Sequence, residues 1–299
     1  MKKIIFKSSI ILLALTFFIH ATVPATLADA IAGELIVTLG EDLSDAQREA
    51  ILKEMDVENE GDVTIIYVTN EEEHIYLGDY IPASQIGSNA LSSARVDLRD
   101  DNTGISVTTN KINYITGSMY SNALATAGIT GAEIYVTAPF EVSGTGALTG
   151  IMKAYEAVTG EEIDEEVKQA ANEEMVVTAE LAEDEDIDDE QATDLMNRIK
   201  EEIDKQRPET TEELRDLIKR LADELGINLS DAQLDRLVEL FDKLRNLDID
   251  WGKVTDTIDA TRNWISDFAD SEEGQGLIQA IGDFFKSIWD WFLSVFSND

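Results

Sequence analysis

Residues 94–109 read ARVDLRDDNTGISVTT, and this stretch decides the fold class. Two strand-type runs, Ala94–Arg99 and Gly104–Thr109, flank Asp100-Asp101-Asn102-Thr103. Those four residues favour turns because their short polar side chains bond nearby backbone. The spacing predicts an antiparallel hairpin. A hairpin set among irregularly alternating strands and helices argues against a regular parallel sheet and for a mixed α+β sheet.

Outward from the hairpin, Glu34–Leu39 and Val63–Thr69 are short runs of strand type, and Ala132–Ala138 is a strand of the buried kind. Ser44 with Gln47 forms a capping box, opening a helix whose apolar face is Ala46, Ala50, Ile51 and Met55. Asn70 with Glu73 repeats the device before a short helix through Leu77. Ser118 opens a helix that ends near Gly128, and Thr145–Val158 is helical. Beyond Gly160 the strands stop. Ile163, Val167, Ala171 and Met175 are one helical turn apart, and Leu214, Leu217, Ile218, Leu221 and Leu225 keep the spacing of one helix face. Leu234–Leu244, Trp251–Phe268 and Leu277–Phe296 carry similar stripes. The expected architecture is a mixed-sheet N-terminal domain followed by an all-helical C-terminal array.

The join is marked by charge. Glu180–Glu190 holds eight carboxylates and no base, the composition of a solvated connector. The division is therefore residues 1–30 as a signal peptide, 31–160 as the mixed domain, 161–190 as an acidic helical connector and 191–299 as the helical domain. The signal reading rests on Lys2, Lys3 and Lys7 before the apolar run Ile10–Ile19, with Ala28-Asp29-Ala30 as a small-x-small cleavage pattern. Cleavage is expected after Ala30 or Ala28, and the product is secreted, extracellular or wall-associated.

The 299 residues carry 61 acidic and 23 basic side chains, a net charge of −38, and no cysteine. Cleavage after Ala30 removes three lysines and Asp29, which leaves 60 acids, 20 bases and a net charge of −40. Such a surface repels nucleic acid and anionic lipid. The lack of cysteine excludes disulfides, thiol catalysis, cysteine zinc sites and a lipobox anchor. No stable membrane insertion is expected after cleavage. The aromatic tail Leu277–Phe296 has a net acidic polar face, which suits core closure or a partner groove better than a lipid surface.

Specific chemistry is sparse. Ser143, Gly144, Thr145 and Gly146 follow a strand and open a helix, so they are candidates for capturing a polar ligand at a helix N-terminus. The commoner reading is a tight turn, because no acidic strand end follows at dinucleotide spacing. His74 is the only histidine after the leader and sits among Glu71, Glu72 and Glu73 without a nucleophile motif. Asp184, Asp186 and Asp188 alternate as in a calcium loop, but Asp189 replaces its glycine and Leu195 its glutamate, leaving only weak Ca²⁺ binding. No cofactor is expected.

The segments VTLG with LSDAQ, VTNEEEHIYLGDYIPASQIGSNALSSARV, GISVTTNKINYIT, MYSNALATAGI and APFEVSGTGALTGIMKAYE carry a resemblance. The chain resembles the exported YpuA-like family of Gram-positive bacteria, a domain of unknown function (family number 1002). The likeness is densest from Val37 to Glu156. It implies export and an envelope setting, and it supplies no activity and no catalytic residues. The favoured function is a non-catalytic envelope or extracellular interaction protein, its partner an envelope protein or wall polymer held directly or through divalent cations. The alternatives are a polysaccharide hydrolase with paired carboxylates and an acidic cation-binding protein.

Overall fold

The computed structural model describes residues 35–271 and 275. The leader (1–30) and the tail helix expected at 277–296 lie outside these residues. Five strands form one mixed sheet: β1 (Leu35–Gly40), β2 (Thr64–Val68), β3 (Ser93–Leu98), β4 (Gly104–Ile112) and β5 (Gly131–Val142), in the order β2-β1-β3-β5-β4. Strands β1 and β2 run parallel, β1–β3 and β3–β5 antiparallel, and β4–β5 parallel.

The hairpin expected at 94–109 does not form. Strand β5 lies between β3 and β4, with Ala94 opposite Val136 on one side and Ile105 opposite Ala132 on the other. Both ends of the 99–103 turn bond to the start of β5: Arg99 N donates to Gly131 O and Gly104 N to Thr130 O, each at 3.1 Å. The physical reason is apolarity. Ala132, Ile134, Val136 and Ala138 leave the same face of β5 and are all buried, and a central place, paired along both edges, holds the whole of that apolar face over the core.

Alternation along β1 splits the layers, because successive strand side chains leave opposite faces. Val37 and Leu39 pack on Ile51, Leu52 and Met55 of helix α1 (Asp45–Glu54), which Ser44 and Gln47 cap as the sequence predicts. Ala46 and Ala50 of that helix are exposed, so its apolar face is narrower than expected. Helix α2 (Asn70–Leu77) starts one residue early: its capping box is Thr69 with Glu72, not Asn70 with Glu73. A short turn of helix, α3 (Ala83–Ile86), follows. Helix α4 (Gly117–Thr126) is capped by Thr116 rather than Ser118, and α5 (Ala147–Thr159) follows β5. Helices α4 and α5 cover the Ile36 face of the sheet.

Five longer helices complete the described residues: α6 (Glu165–Ala182), α7 (Asp189–Gln206), α8 (Thr211–Leu225), α9 (Asp231–Leu244) and α10 (Trp251–Asp270). Helix α6 is a wall shared by two cores. Ala171 and Met175 face the sheet, while Ala170, Val177 and Leu181 face α7, α8 and α9. Twelve of its eighteen residues are buried, while residues 183–186 and 188–190 of the acidic run that follows are exposed. Its adjacent acids point apart. Glu173 takes Arg236 (2.7 Å) and Lys243 (3.1 Å) from α9, while Glu174 takes Lys200 of α7 (2.5 Å) and Thr126 of α4 (2.6 Å). Helix α10 then returns to the sheet, where Ile105 N donates to Thr261 Oγ1 at 2.9 Å. Among the described residues no helix is long and apolar enough to cross a membrane.

Candidate functional site

Helix α2 shows three glutamates in its first turn, Glu71, Glu72 and Glu73, and the fold gives each a different place. Glu71 is exposed. Glu72 closes the capping box through Thr69 and takes Lys153 Nζ at 2.6 Å. Burial works against its charge, yet Lys153 and Thr69 outweigh burial and lower its pKa. Glu73 lies on the face of Leu77, four residues on, and points into the protein with only 4 % of its surface exposed.

The counterpart of Glu73 is the turn from β5 into α5. Gly144 has φ +88°, a left-handed conformation suited to glycine, and its carbonyl accepts the Tyr120 hydroxyl at 2.5 Å. Ser143 and Thr145 bond through their hydroxyls at 3.2 Å. Gly146 caps α5 without a side-chain bond, and a Cβ there would overlap Glu73 Oε1. The bare glycine is what admits the carboxyl.

Glu73 Oε2 accepts Asn70 Nδ2 at 3.1 Å, and Oε1 has no hydrogen-bond partner among the described residues. Burial raises its pKa to about 7, with Asp42 and Glu72 adding to the rise and Asn70 opposing it. The positive end of α5 also favours the charged form. Glu73 lines a cavity of about 410 Å³ with Ser88, Asn89, Phe140, Ser143 and Thr145. Phe140 is 53 % exposed and offers its ring at the wall. The far rim is the loop after α3, held from α2 through Gly87 O: His74 Nε2 lies 3.0 Å away and Asn70 Nδ2 3.4 Å. A carbonyl only accepts, so His74 Nε2 carries the proton. That is the role the structure gives His74.

A second carboxyl on the same sheet is arranged otherwise. Glu54 of α1 receives Lys111 (2.6 Å), Thr137 (2.6 Å), Asn110 (2.8 Å) and Tyr135 (2.9 Å). Burial opposes its charge, but those four donors prevail and bring its pKa to about 2. Lys111 reaches it from an irregularity in β4, where its own φ is +58°.

The sequence candidates divide accordingly. Ser143, Thr145 and Gly146 line the cavity, and Gly144 shapes the turn from behind. The aspartates do not share one centre. Asp188 caps α7 through Gln191 N, Asp184 accepts Asp186 N and Gln233 Nε2, and Asp186 is exposed. No three His, Asp or Glu side chains come together for a metal among the described residues. A larger cleft of about 720 Å³ opens between α4, α7 and α10, but two of its acids, Asp188 and Asp194, are already engaged, the first in the α7 cap and the second with Arg198.

Glu73 is the residue that sequence reasoning missed. Its one local signal is the i,i+4 relation to Leu77.

A mixed sheet covered by helices, carrying a buried carboxyl in a polar cavity, defines an α+β protein with a ligand-sized pocket. The chain belongs to the family described as "Protein of unknown function (DUF1002)", whose sequence pattern matches residues 39–261. It is 47% identical over 272 residues to the uncharacterized protein YpuA of Bacillus subtilis (strain 168), a match covering 91% of this chain and 92% of that protein. No solved structure matches it.

Proposed function

We propose that this chain is an exported, non-catalytic recognition protein of the cell envelope, and that the cavity at Glu73 holds its partner. The observation that carries this reading is a buried carboxyl with one oxygen unanswered, facing a cavity walled by hydroxyl and amide groups. An acceptor left open toward a concave site, with a few convergent polar groups around it, is what ligand binding needs. The leader sequence supports export, and the charge of −38 suits a partner that is neutral or bridged by divalent cations.

One observation favours hydrolysis: a carboxyl near pKa 7 suits a general acid. The paired-carboxylate mechanism needs a second acid across the site. Among the described residues lining the cavity, Glu73 is the one carboxyl, and recognition is therefore preferred.

The test is sedimentation of the purified chain with isolated cell wall, with and without a chelator. The expected result is a chain that pellets with wall of unchanged length, and loss with chelator would assign cation bridging. New reducing ends in the supernatant would transfer the assignment to a hydrolase, and failure to pellet under both conditions would remove wall polymer as the partner.

A further inference from the structure

The Glu73 cavity has an aromatic wall that recognition in general does not explain. We infer that it takes a neutral sugar ring, stacked on Phe140 and hydrogen-bonded to Glu73 Oε1 and to Asn89, Ser143 and Thr145. This assignment rests on the recognition reading and narrows it to one ligand class.

Three features carry it. Phe140 follows Pro139 near the end of β5 and keeps 53 % of its surface exposed at a cavity wall. An aromatic side chain left open beside polar groups can cover the apolar C–H face of a pyranose, removing that face from water. Opposite chemistry lies around it: the Ser143 and Thr145 hydroxyls donate and accept, the Asn89 amide does both, and Glu73 Oε1 is an acceptor without a donor. Ring hydroxyls supply the missing donors and use the remaining acceptors. Charge narrows the class further. Glu73 has Asp42 and Glu72 as electrostatic neighbours, so an anionic ligand would be repelled. The volume of about 410 Å³ falls within the range of small-molecule sites.

Gly146 is a positioning residue in this scheme. Any side chain there displaces the carboxyl that reads the ring.

Calorimetric titration of the purified chain with cellotetraose, chitotetraose and tetra-alanine tests the assignment. The expected result is binding of at least one tetrasaccharide and none of the peptide. Phe140→Ala should weaken that binding about tenfold without changing the melting temperature, and Phe140→Trp should preserve it. Glu73→Ala and Gly146→Ala should weaken it as well. The exposed position of Phe140 keeps the test informative if the two buried variants fold poorly. Tetrasaccharide binding that is unchanged in Phe140→Ala would overturn the assignment. Binding of tetra-alanine alone would replace the sugar with a peptide. Wall sedimentation that is lost in Phe140→Ala while neither tetrasaccharide binds would overturn the sugar class and leave the recognition reading standing.

Discussion

Glu54 and Glu73 stand on opposite sides of the question of what a protein does with a carboxyl. Glu54 meets four donors and stays charged down to a pKa of about 2, whereas Glu73 meets one donor, and its pKa rises to about 7. Glu73 is the more deeply buried, with 4 % of its surface exposed against a quarter of the Glu54 side chain, and burial supplies part of the contrast. The rest is the supply of donors. Around Glu54 the fold provides donors from β4 and β5, and the group knits α1 to the sheet. Around Glu73 the fold provides a cavity. The first arrangement is a structural joint, and the second leaves a valence for something else.

The sharpest way to break this contrast is to turn an answered acid into an unanswered one. Lys200→Met would leave Glu174 fully buried with Thr126 as its remaining side-chain donor. The expected loss, read from the urea midpoint, is about 3–5 kcal/mol.

The next effect tests Glu73 itself. Its folded pKa, about 7, is above the ordinary 4.5, so its stabilising contribution is complete below about pH 4.5 and is lost as pH rises through 7. Wild-type stability should fall by about 3 kcal/mol across that window, and Glu73→Gln should stay flat and be the more stable form at pH 8. Urea denaturation at pH 4.5, 6 and 8 measures both; parallel curves would refute the assignment.

Glu54→Gln gives the mirror image at smaller amplitude. The folded pKa of about 2 lies below 4.5, so its contribution is present above pH 4.5 and disappears as pH falls toward 2. With a quarter of its side chain exposed, the expected cost at pH 7 is about 2 kcal/mol, vanishing in acid. Thermal melts of the two proteins should therefore converge at low pH.

Much of the fold was legible because its signals are local. The capping box at Ser44 and the stripe Leu214–Leu221 rest on contacts within four residues, and they appear where the sequence places them. The hairpin was misread because turn chemistry at 100–103 specifies a reversal of direction, not which strand becomes the neighbour. Glu73 was hidden for the same reason. Within the run Glu71-Glu72-Glu73 the i,i+4 relation to Leu77 is the one mark on Glu73, and its burial depends on Gly146, seventy-three residues further on. Glu173 and Glu174 are likewise adjacent acids with no local mark of burial, and their bases come from helices α7 and α9, distant in sequence. The cavity candidates at 143–146 were visible as a glycine-rich turn, but their neighbours were not.

The insertion of β5 has a consequence for how the chain reaches this shape. Among the described residues strand β4 occupies a sheet edge and pairs with β5 alone, so no ribbon of β3 with β4 can serve as an early nucleus. Ribosomal synthesis must deliver residue 142 before the middle of the sheet can zip together, and α10 joins the outer edge later still. Non-local assembly of this kind is slow and leaves open edges meanwhile. A polypeptide that stays loose until late in its synthesis remains threadable for longer, which would suit the export proposed for this chain.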